Sequence, residues 1–447
     1  MRISRRHFLR DSAAVAVGFL GLKHYLAEGS GAPAGGYGEL VPDPARVIDL
    51  PKGFRYRIFS RVGEKMDDGF FVPGAHDGMA AFPGPDGKTV LVRNHELRPT
   101  RSGGPFGRSN ELFKNIDRKK VYDAGRGKYP CVGGTTTLVY DTRVQRLERH
   151  SLSLVGTIRN CAGGPTPWGS WLSCEECTDR AQGLIEKDHG YVFEVPASPE
   201  IRLADPEPIA AMGRFNHEAV AVDPRSGIVY ETEDRSDGLL YRYIPADPGH
   251  LLKGGRLQAL AIKDKPSAET GNGSRRGAIP VGQPLEVAWV DLQDAQSPRD
   301  DLRQQGFSKG ASRFVRGEGI WYGNGALFFA CTSGGRNRKG QIWKLVPEEG
   351  EKPGRLVLFV EPNDDTLMES ADNITVAPWG DLIVCENARP EQHVIGITPE
   401  GKFYTLAKNS RSNSEFAGGC FSPDGSTFFV NIQKVGLTVA VTGPWKG

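Results

Sequence analysis

Several features that would place a chain quickly are missing here, and each absence removes a class of answer. No apolar run reaches the roughly 18 to 20 residues a membrane-spanning helix needs, so stable membrane insertion is not expected. Lysine plus arginine number 56 against 54 aspartates and glutamates, a balance that gives no reason to expect nucleic acid or an acidic membrane surface. The GxxxxGK[ST] phosphate loop is absent, and no Ser-x-His pattern marks a hydroxyl nucleophile. Cysteine is sparse. Of seven, only Cys174 and Cys177 form a C-x-x-C pair, and no second pair accompanies it to complete a structural zinc site. The odd count leaves at least one thiol unpaired in an oxidising compartment, and most of the others read as buried strand residues.

Glycine and proline are plentiful instead, at 57 and 31 of 447 residues, and are spread along the whole chain. That pattern fits many short strands joined by tight turns. The first thirty residues read as an address. Ser4-Arg5-Arg6-His7-Phe8-Leu9-Arg10 matches a twin-arginine signal, and a modest apolar stretch follows from Ala13 to Leu22. No clean small-x-small cleavage site stands out, so the mature chain is expected to start near residue 30. The twin-arginine machinery carries folded proteins, often ones loaded with metal beforehand, so the expected location is periplasmic or extracellular.

A motif recurs six times: an apolar strand, a turn containing glycine, and a second apolar strand with a polar end. The copies begin at Asp77 (DGMAAFPGPDGKTVLVRNHE), Cys161 (CAGGPTPWGSWLSCEE), Glu218 (EAVAVDPRSGIVYETED), Glu318 (EGIWYGNGALFFACTS), Asp372 (DNITVAPWGDLIVCEN) and Glu415 (EFAGGCFSPDGSTFFVNIQ). Strand hairpins repeated at this scale predict an all-β, six-bladed β-propeller with insertions between blades. One domain is expected over 38–447, with insertions at about 98–130 and 245–310, where strand signals are few. The segment 436–443 has no blade after it and is expected to pair with the early strand 54–59, closing the ring and hiding both edges.

Each repeat opens on a polar residue at the start of its inner strand, and in a propeller those starts converge on the axis. Asp77, Cys161, Glu218, Glu318, Asp372 and Glu415 would then face one another, with Glu96, Glu175, Glu176, Glu233, Asp234 and Glu386 added from the partner strands. Acids crowded at low dielectric repel strongly, and cations relieve that conflict. Oxygen ligands suit calcium or magnesium, whereas a thiolate among them points to a transition metal such as iron. His95 and His217 stand beside ring acids and could orient a ligand or bind metal. Arg316 precedes Glu318 by two residues, so both side chains share one strand face, where the guanidinium could hold an anion or pair with a carboxylate.

At these residues the chain resembles the PhoX-type alkaline phosphatases, a family of twin-arginine-exported bacterial propellers. The matching segments are RNHE (93–96), TIRNCAGGPTPWGSWLSCEE (157–176), FNHEAVAVDP (215–224), YETEDR (230–235), FVRGEGIWY (314–322), DNITVAPWGDLIVCEN (372–387) and FAGGCFSPDG (416–425). The resemblance implies hydrolysis of phosphate monoesters at a cluster of iron and calcium. It implies Cys161, Glu218, Glu318 and Asp372 as core metal ligands, Glu175, Glu386, Glu96 and Asp77 as further ligands, and Arg316 as the phosphate-binding residue. The expected partner is a small-molecule phosphate ester, and the chain is read as a monomer. Two rival readings stay open at this point: a calcium-dependent propeller lactonase, and a non-catalytic propeller scaffold with structural metals.

Overall fold

Near-continuous apolar runs such as ALFFAC at 326–331 suit strands whose two faces are both buried when sheets stand face to face around an axis, and that is how this chain folds. The computed structural model describes residues 36–99, 103–273 and 277–446, so the twin-arginine segment lies outside the described residues. Six inner strands surround the axis: His76–Pro83, Asn160–Pro165, His217–Val222, Gly317–Gly323, Ala371–Val376 and Phe416–Phe421. Each packs against the next, and the last packs against the first. Behind every inner strand the chain turns back antiparallel, as the expected hairpins required.

The core is correspondingly divided into layers between successive blades. Val90 and Phe193 pack between blades 1 and 2, Leu172 and Tyr241 between 2 and 3, and Leu260 and Trp343 between 3 and 4. Ile342 with Val384, Val394 with Val430, and Phe429 with Leu138 fill the remaining three interfaces. The ring closes where the C-terminal strand Leu437–Thr442 pairs with Arg55–Arg61, in register from Leu437 opposite Arg61 to Thr442 opposite Arg55. No edge is left there to recruit another chain.

One expectation about the insertions needs revision. The span 245–310 contains two strands, Gly255–Ile262 and Pro284–Asp291, and a short helix, Leu302–Ser308. Gly255–Ile262 is the outer strand of blade 3, and Pro284–Asp291 pairs both with it and with Arg355–Val360 of blade 4, fusing two blades into one nine-stranded sheet. The span 98–130 does lack strands, but Phe106, Phe113, Ile116 and Val121 form their own apolar cluster beneath Leu152 and Val155 of blade 1.

Close packing of the inner strands seals the axis beneath the strand starts. A Cβ on Gly78 would lie 2.5 Å from the Ala162 Cα, and one on Gly319 would lie 2.7 Å from the Asp372 carbonyl oxygen. Neighbouring backbones can approach this closely only because both positions are glycine. The central void that remains is about 20 Å³, room for about one water. The funnel therefore has a floor, and chemistry is confined to one face.

Phe429 is fully buried at the closure, with ring centroids 5.7 Å from Phe59 and 5.3 Å from Tyr140. Phe429→Ala should cost about 3–5 kcal/mol, read as a lower urea midpoint. A loss below about 1 kcal/mol would show that this junction does not hold the ring.

Candidate metal centre

The same backbone device is repeated at the mouth of every blade. The chain approaches each inner strand through one residue: Ala75, Arg159, Asn216, Arg316, Ser370 or Glu415. Its carbonyl accepts a hydrogen bond, 2.9 to 3.2 Å long, from the backbone N–H of Glu96, Glu176, Asp234, Thr332, Asn387 or Gln433 respectively, the residue that leaves the second strand. Four approach residues hold left-handed backbone: Ala75 (φ 46°), Arg159 (φ 50°), Arg316 (φ 52°) and Ser370 (φ 53°). Non-glycine residues pay for that conformation by roughly 1–2 kcal/mol each, which is typical of sites where aim matters. Two residues on from the approach stands the ring residue, and in five blades it lies within a β-bulge, at Asp77, Cys161, Glu218, Glu318 and Asp372. The bulge inserts an unpaired residue and turns its side chain out of the sheet, here into the funnel.

Blade 6 departs from the expected ring. By this register Glu415 is an approach residue, equivalent to Arg159 and Arg316, and the ring position falls on Ala417, with the bulge one residue later than elsewhere. The sixth repeat thus brings no acid at the ring position. Glu415 is nonetheless buried and feels the charges of Asp372 and Glu96.

Strand alternation also sorts the second-strand acids. Glu96, Glu176, Asp234 and Asn387 share the parity that faces the funnel, whereas His95, Glu175, Glu233 and Glu386 face into the blades. Glu175, expected as a ligand, has both oxygens bonded to protein: Oε1 accepts from Ile158 N (2.9 Å) and His189 Nδ1 (2.6 Å), and Oε2 from Gly190 N (2.8 Å). Glu386 accepts from the Glu369 N–H at 2.6 Å and lies 3.1 Å from His393 Nδ1. The structure does not bring these two into the funnel group, and their neighbours Glu176 and Asn387 stand there instead. Neither histidine reaches the ring acids. His95 bonds Gly74 O and Thr136, while His217 bonds Gly213 O and stacks on Phe215.

What converges is a thiol and carboxylates. Ligand atoms of Cys161, Glu176 and Glu218 lie within 4.8 Å of one another, as do those of Glu218, Glu318 and Asp372, so Glu218 belongs to both groups. Cys161 Sγ is 3.1 Å from Glu218 Oε1. Asp77 and Glu96 adjoin them, joined by Gln433 Nε2, which donates to Asp77 Oδ2 at 2.6 Å and Glu96 Oε2 at 2.9 Å. Two arginines from approach positions flank the group. Arg159 pairs with Glu96 (2.9 Å) and with Glu176. Arg316 donates from Nε and Nη2 to both oxygens of Asp234 (2.7 and 2.8 Å) and from Nη2 to Glu318 Oε1 (2.9 Å). Arg159 escaped the sequence reading, although it precedes Cys161 by the same two residues that separate Arg316 from Glu318.

The electrostatic strain is large. Burial first, and then the charges of their neighbours, push Asp77, Glu218 and Glu318 well above the carboxylate range. Burial likewise lifts Asp372 to about 6, Glu176 to about 7 and Glu415 to about 8. Burial and the adjacent acids raise the Cys161 thiol. A set of thiol and carboxylates that resist ionisation when empty is the donor set that multivalent cations fit, because the cation replaces the protons.

The sign follows from linkage. Acids raised in the folded state hold protons there that the unfolded chain releases, so their contribution is fully present only below about pH 4 and is lost as pH climbs through about 6 to 8. Chelated protein should therefore show a falling thermal midpoint from pH 5 to 8.5, and the metal-replete protein should not. Parallel profiles in the two forms would contradict this account of the funnel.

A family model described as alkaline phosphatase PhoX matches residues 35–436. Among solved structures, Pseudomonas fluorescens PhoX in complex with vanadate, described as a transition state analogue, aligns with a TM-score of 0.65 at 17% identity, covering 89% of this chain and 96% of that one. A gluconolactonase from Xanthomonas campestris aligns at a TM-score of 0.40 and 12% identity over 92% of this chain and 100% of its own. Virginiamycin B lyase from Staphylococcus aureus gives a TM-score of 0.37 at 11% identity, over 87% and 99%. None of the curated protein sequences matches. The likeness to the Pseudomonas structure shows a shared fold, and the family match spans nearly all the described residues: the chain belongs to the PhoX alkaline phosphatase family.

Proposed function

We propose that this chain is a metal-dependent phosphatase that hydrolyses phosphate monoesters at a cluster of iron and calcium ions in the propeller funnel. The observation that carries the reading is the convergence of Cys161, Glu176, Glu218, Glu318 and Asp372 beside an aimed arginine. Cys161 with Glu176 and Glu218 supplies the mixed sulfur and oxygen set that suits iron, and Glu218, Glu318 and Asp372 supply the all-oxygen set that suits calcium. Asp77 and Glu96, held by Gln433, extend the oxygen set. Bound there, the cations would supply charge to the phosphate oxygens and the leaving alkoxide, and an activated water.

The remaining residues position and neutralise. Monoester hydrolysis is among the slowest uncatalysed reactions, and its catalysis is mostly positioning and charge stabilisation. Asp234 grips Arg316 through Nε and Nη2, which fixes the plane of the guanidinium. Both N–H groups of Nη2 serve Asp234 and Glu318, so Nη1 is the nitrogen that would donate to a phosphate oxygen, by charge-assisted hydrogen bonding rather than as a bidentate fork. Hydrogen bonding by Asp234 first, opposed by burial and reinforced by Glu318, keeps Arg316 charged at every working pH. Arg159 offsets the charge of Glu96 and Glu176 on the other side. The twin-arginine segment would deliver the folded, metal-loaded protein to the periplasm or beyond, and no helix among the described residues is long and apolar enough to cross a membrane.

Cys161→Ser should lose iron while keeping part of its calcium, and turnover of p-nitrophenyl phosphate should drop about 100-fold or more, the upper range for disturbing a metal site. Retained iron with full turnover would remove Cys161 from the ligand set. Arg316→Ala should lower kcat by about 10²–10³, the range for losing one preorganised charge donor, with metal content unchanged. Asp234→Asn should give a smaller loss of the same kind. An Arg316→Ala enzyme within twofold of the parent would refute the assigned phosphate contact.

A further inference from the structure

A second group of metal-ligating side chains lies outside the funnel, in the seam between the 98–130 insertion and blade 2. Ligand atoms of Asp123, Cys131 and His189 lie within 4.8 Å of one another, and all three residues are buried. Their surroundings are built to hold them. The Asp123 carboxylate accepts from the N–H groups of Gly125 (2.8 Å), Glu186 (2.7 Å) and Lys187 (3.0 Å). The Cys131 N–H donates to the Asp123 carbonyl at 3.2 Å, and Tyr122 meets the His189 ring edge-on at 5.2 Å. His189 Nδ1 lies 2.6 Å from Glu175 Oε1, so that nitrogen carries a proton and donates it to Glu175.

We propose that Asp123, Cys131 and His189 bind one zinc ion, with Glu175 as the hydrogen-bonded partner that orients the histidine. Three observations point this way. A histidine that ligates metal through one nitrogen almost always donates the other N–H to a carboxylate, as His189 does to Glu175. His189 Nε2 lies 3.4 Å from Asp123 Oδ2, long for a charge-assisted hydrogen bond, where about 2.7–2.9 Å is usual. Two ligands each about 2.0–2.2 Å from a shared tetrahedral zinc stand about 3.4 Å apart, so the spacing is that of two vertices of one coordination sphere. A thiol, an imidazole and a carboxylate form a donor set of the softness that selects zinc over calcium.

The exchange balances in charge. Counted formally with two carboxylates, an imidazolium and a thiol, the metal-free group carries a net charge of −1. Zinc displaces two protons to solvent, one from His189 Nε2 and one from the Cys131 Sγ, and the net charge stays −1. Because zinc displaces protons from its ligands, its affinity here should rise with pH. The fourth position would take water. A zinc here would pin the insertion to the loop between the second and third strands of blade 2, Ser170–Glu175 and Val192–Pro196, and would hold Glu175, next in sequence to the funnel residue Glu176.

The test uses the full metal-loaded protein, incubated with zinc sulfate, desalted, and measured for zinc content and by zinc-edge X-ray absorption. About one retained zinc with both sulfur and imidazole neighbours is expected. The funnel group contains no histidine, so an imidazole signal separates the two sites without any variant. Cys131→Ser and Glu175→Gln should each weaken zinc binding about 10–100-fold, whereas Cys161→Ser should retain the zinc. Should Cys131→Ser fail to fold, the absorption spectrum of the unaltered protein still decides. No retained zinc, zinc without imidazole neighbours, or zinc that disappears with Cys161→Ser would overturn the proposal and leave His189 as the cation of a buried ion network.

Discussion

Mutual repulsion among buried anions governs the centre of this molecule. Asp77, Glu218 and Glu318 are almost wholly removed from water, with Cys161, Glu176 and Asp372 beside them, and no hydrophobic core tolerates such a group unaided. The surrounding polar residues read as answers to that problem. Arg159 and Arg316 bring positive charge from opposite sides, while Gln433 donates to Asp77 and Asn373 to Asp372. Protonation completes the answer in the empty site, and cations would complete it in the loaded one. A fold that merely wanted stability would have replaced the group with packed apolar residues, so its retention is the strongest physical argument that the funnel is functional.

The propeller supplies what such a group needs, which is fixed aim from independent directions. Each blade is a hairpin whose layers of apolar side chains lock it to its neighbours, and the closing pairing of Leu437–Thr442 with Arg55–Arg61 removes the freedom to splay. The bulge at each strand start then converts sheet geometry into side-chain direction. Gly78 and Gly319 let the strands meet beneath the ring, giving a shallow, floored site rather than a channel. Positioning side chains at strand ends is what lets ligands from four blades converge within a few ångströms.

Much of this was legible in the sequence, because hairpin repeats carry their own punctuation. The six turn glycines and the polar strand starts located the inner strands and five of the six ring positions. The misreadings have physical causes. Glu175 and Glu176 are adjacent acids, and only the strand parity, fixed by the pairing of Glu175 with Asn160, decides which one faces the funnel. The same one-residue ambiguity separates Glu386 from Asn387. Glu415 reads as a ring residue because the sixth repeat, counted from its first polar residue, starts at the approach position, two residues before Ala417, and this register is set by the hydrogen bond between Gln433 N and Glu415 O and by the pairing of Ala417 with Asn431. Pro284–Asp291 escaped notice because its partners belong to two different blades. Nothing local in the sequence brings Asp123 and Cys131 to His189, since their meeting depends on how the insertion folds over blade 2.

The central claim is that the funnel group exists to hold metal, and its most direct test is elemental analysis of the purified native protein together with its visible spectrum. The account predicts iron and calcium in the same sample, with a thiolate-to-iron absorption band that disappears in Cys161→Ser. Calcium alone in about one equivalent, or protein that is folded, exported and free of metal, would contradict it.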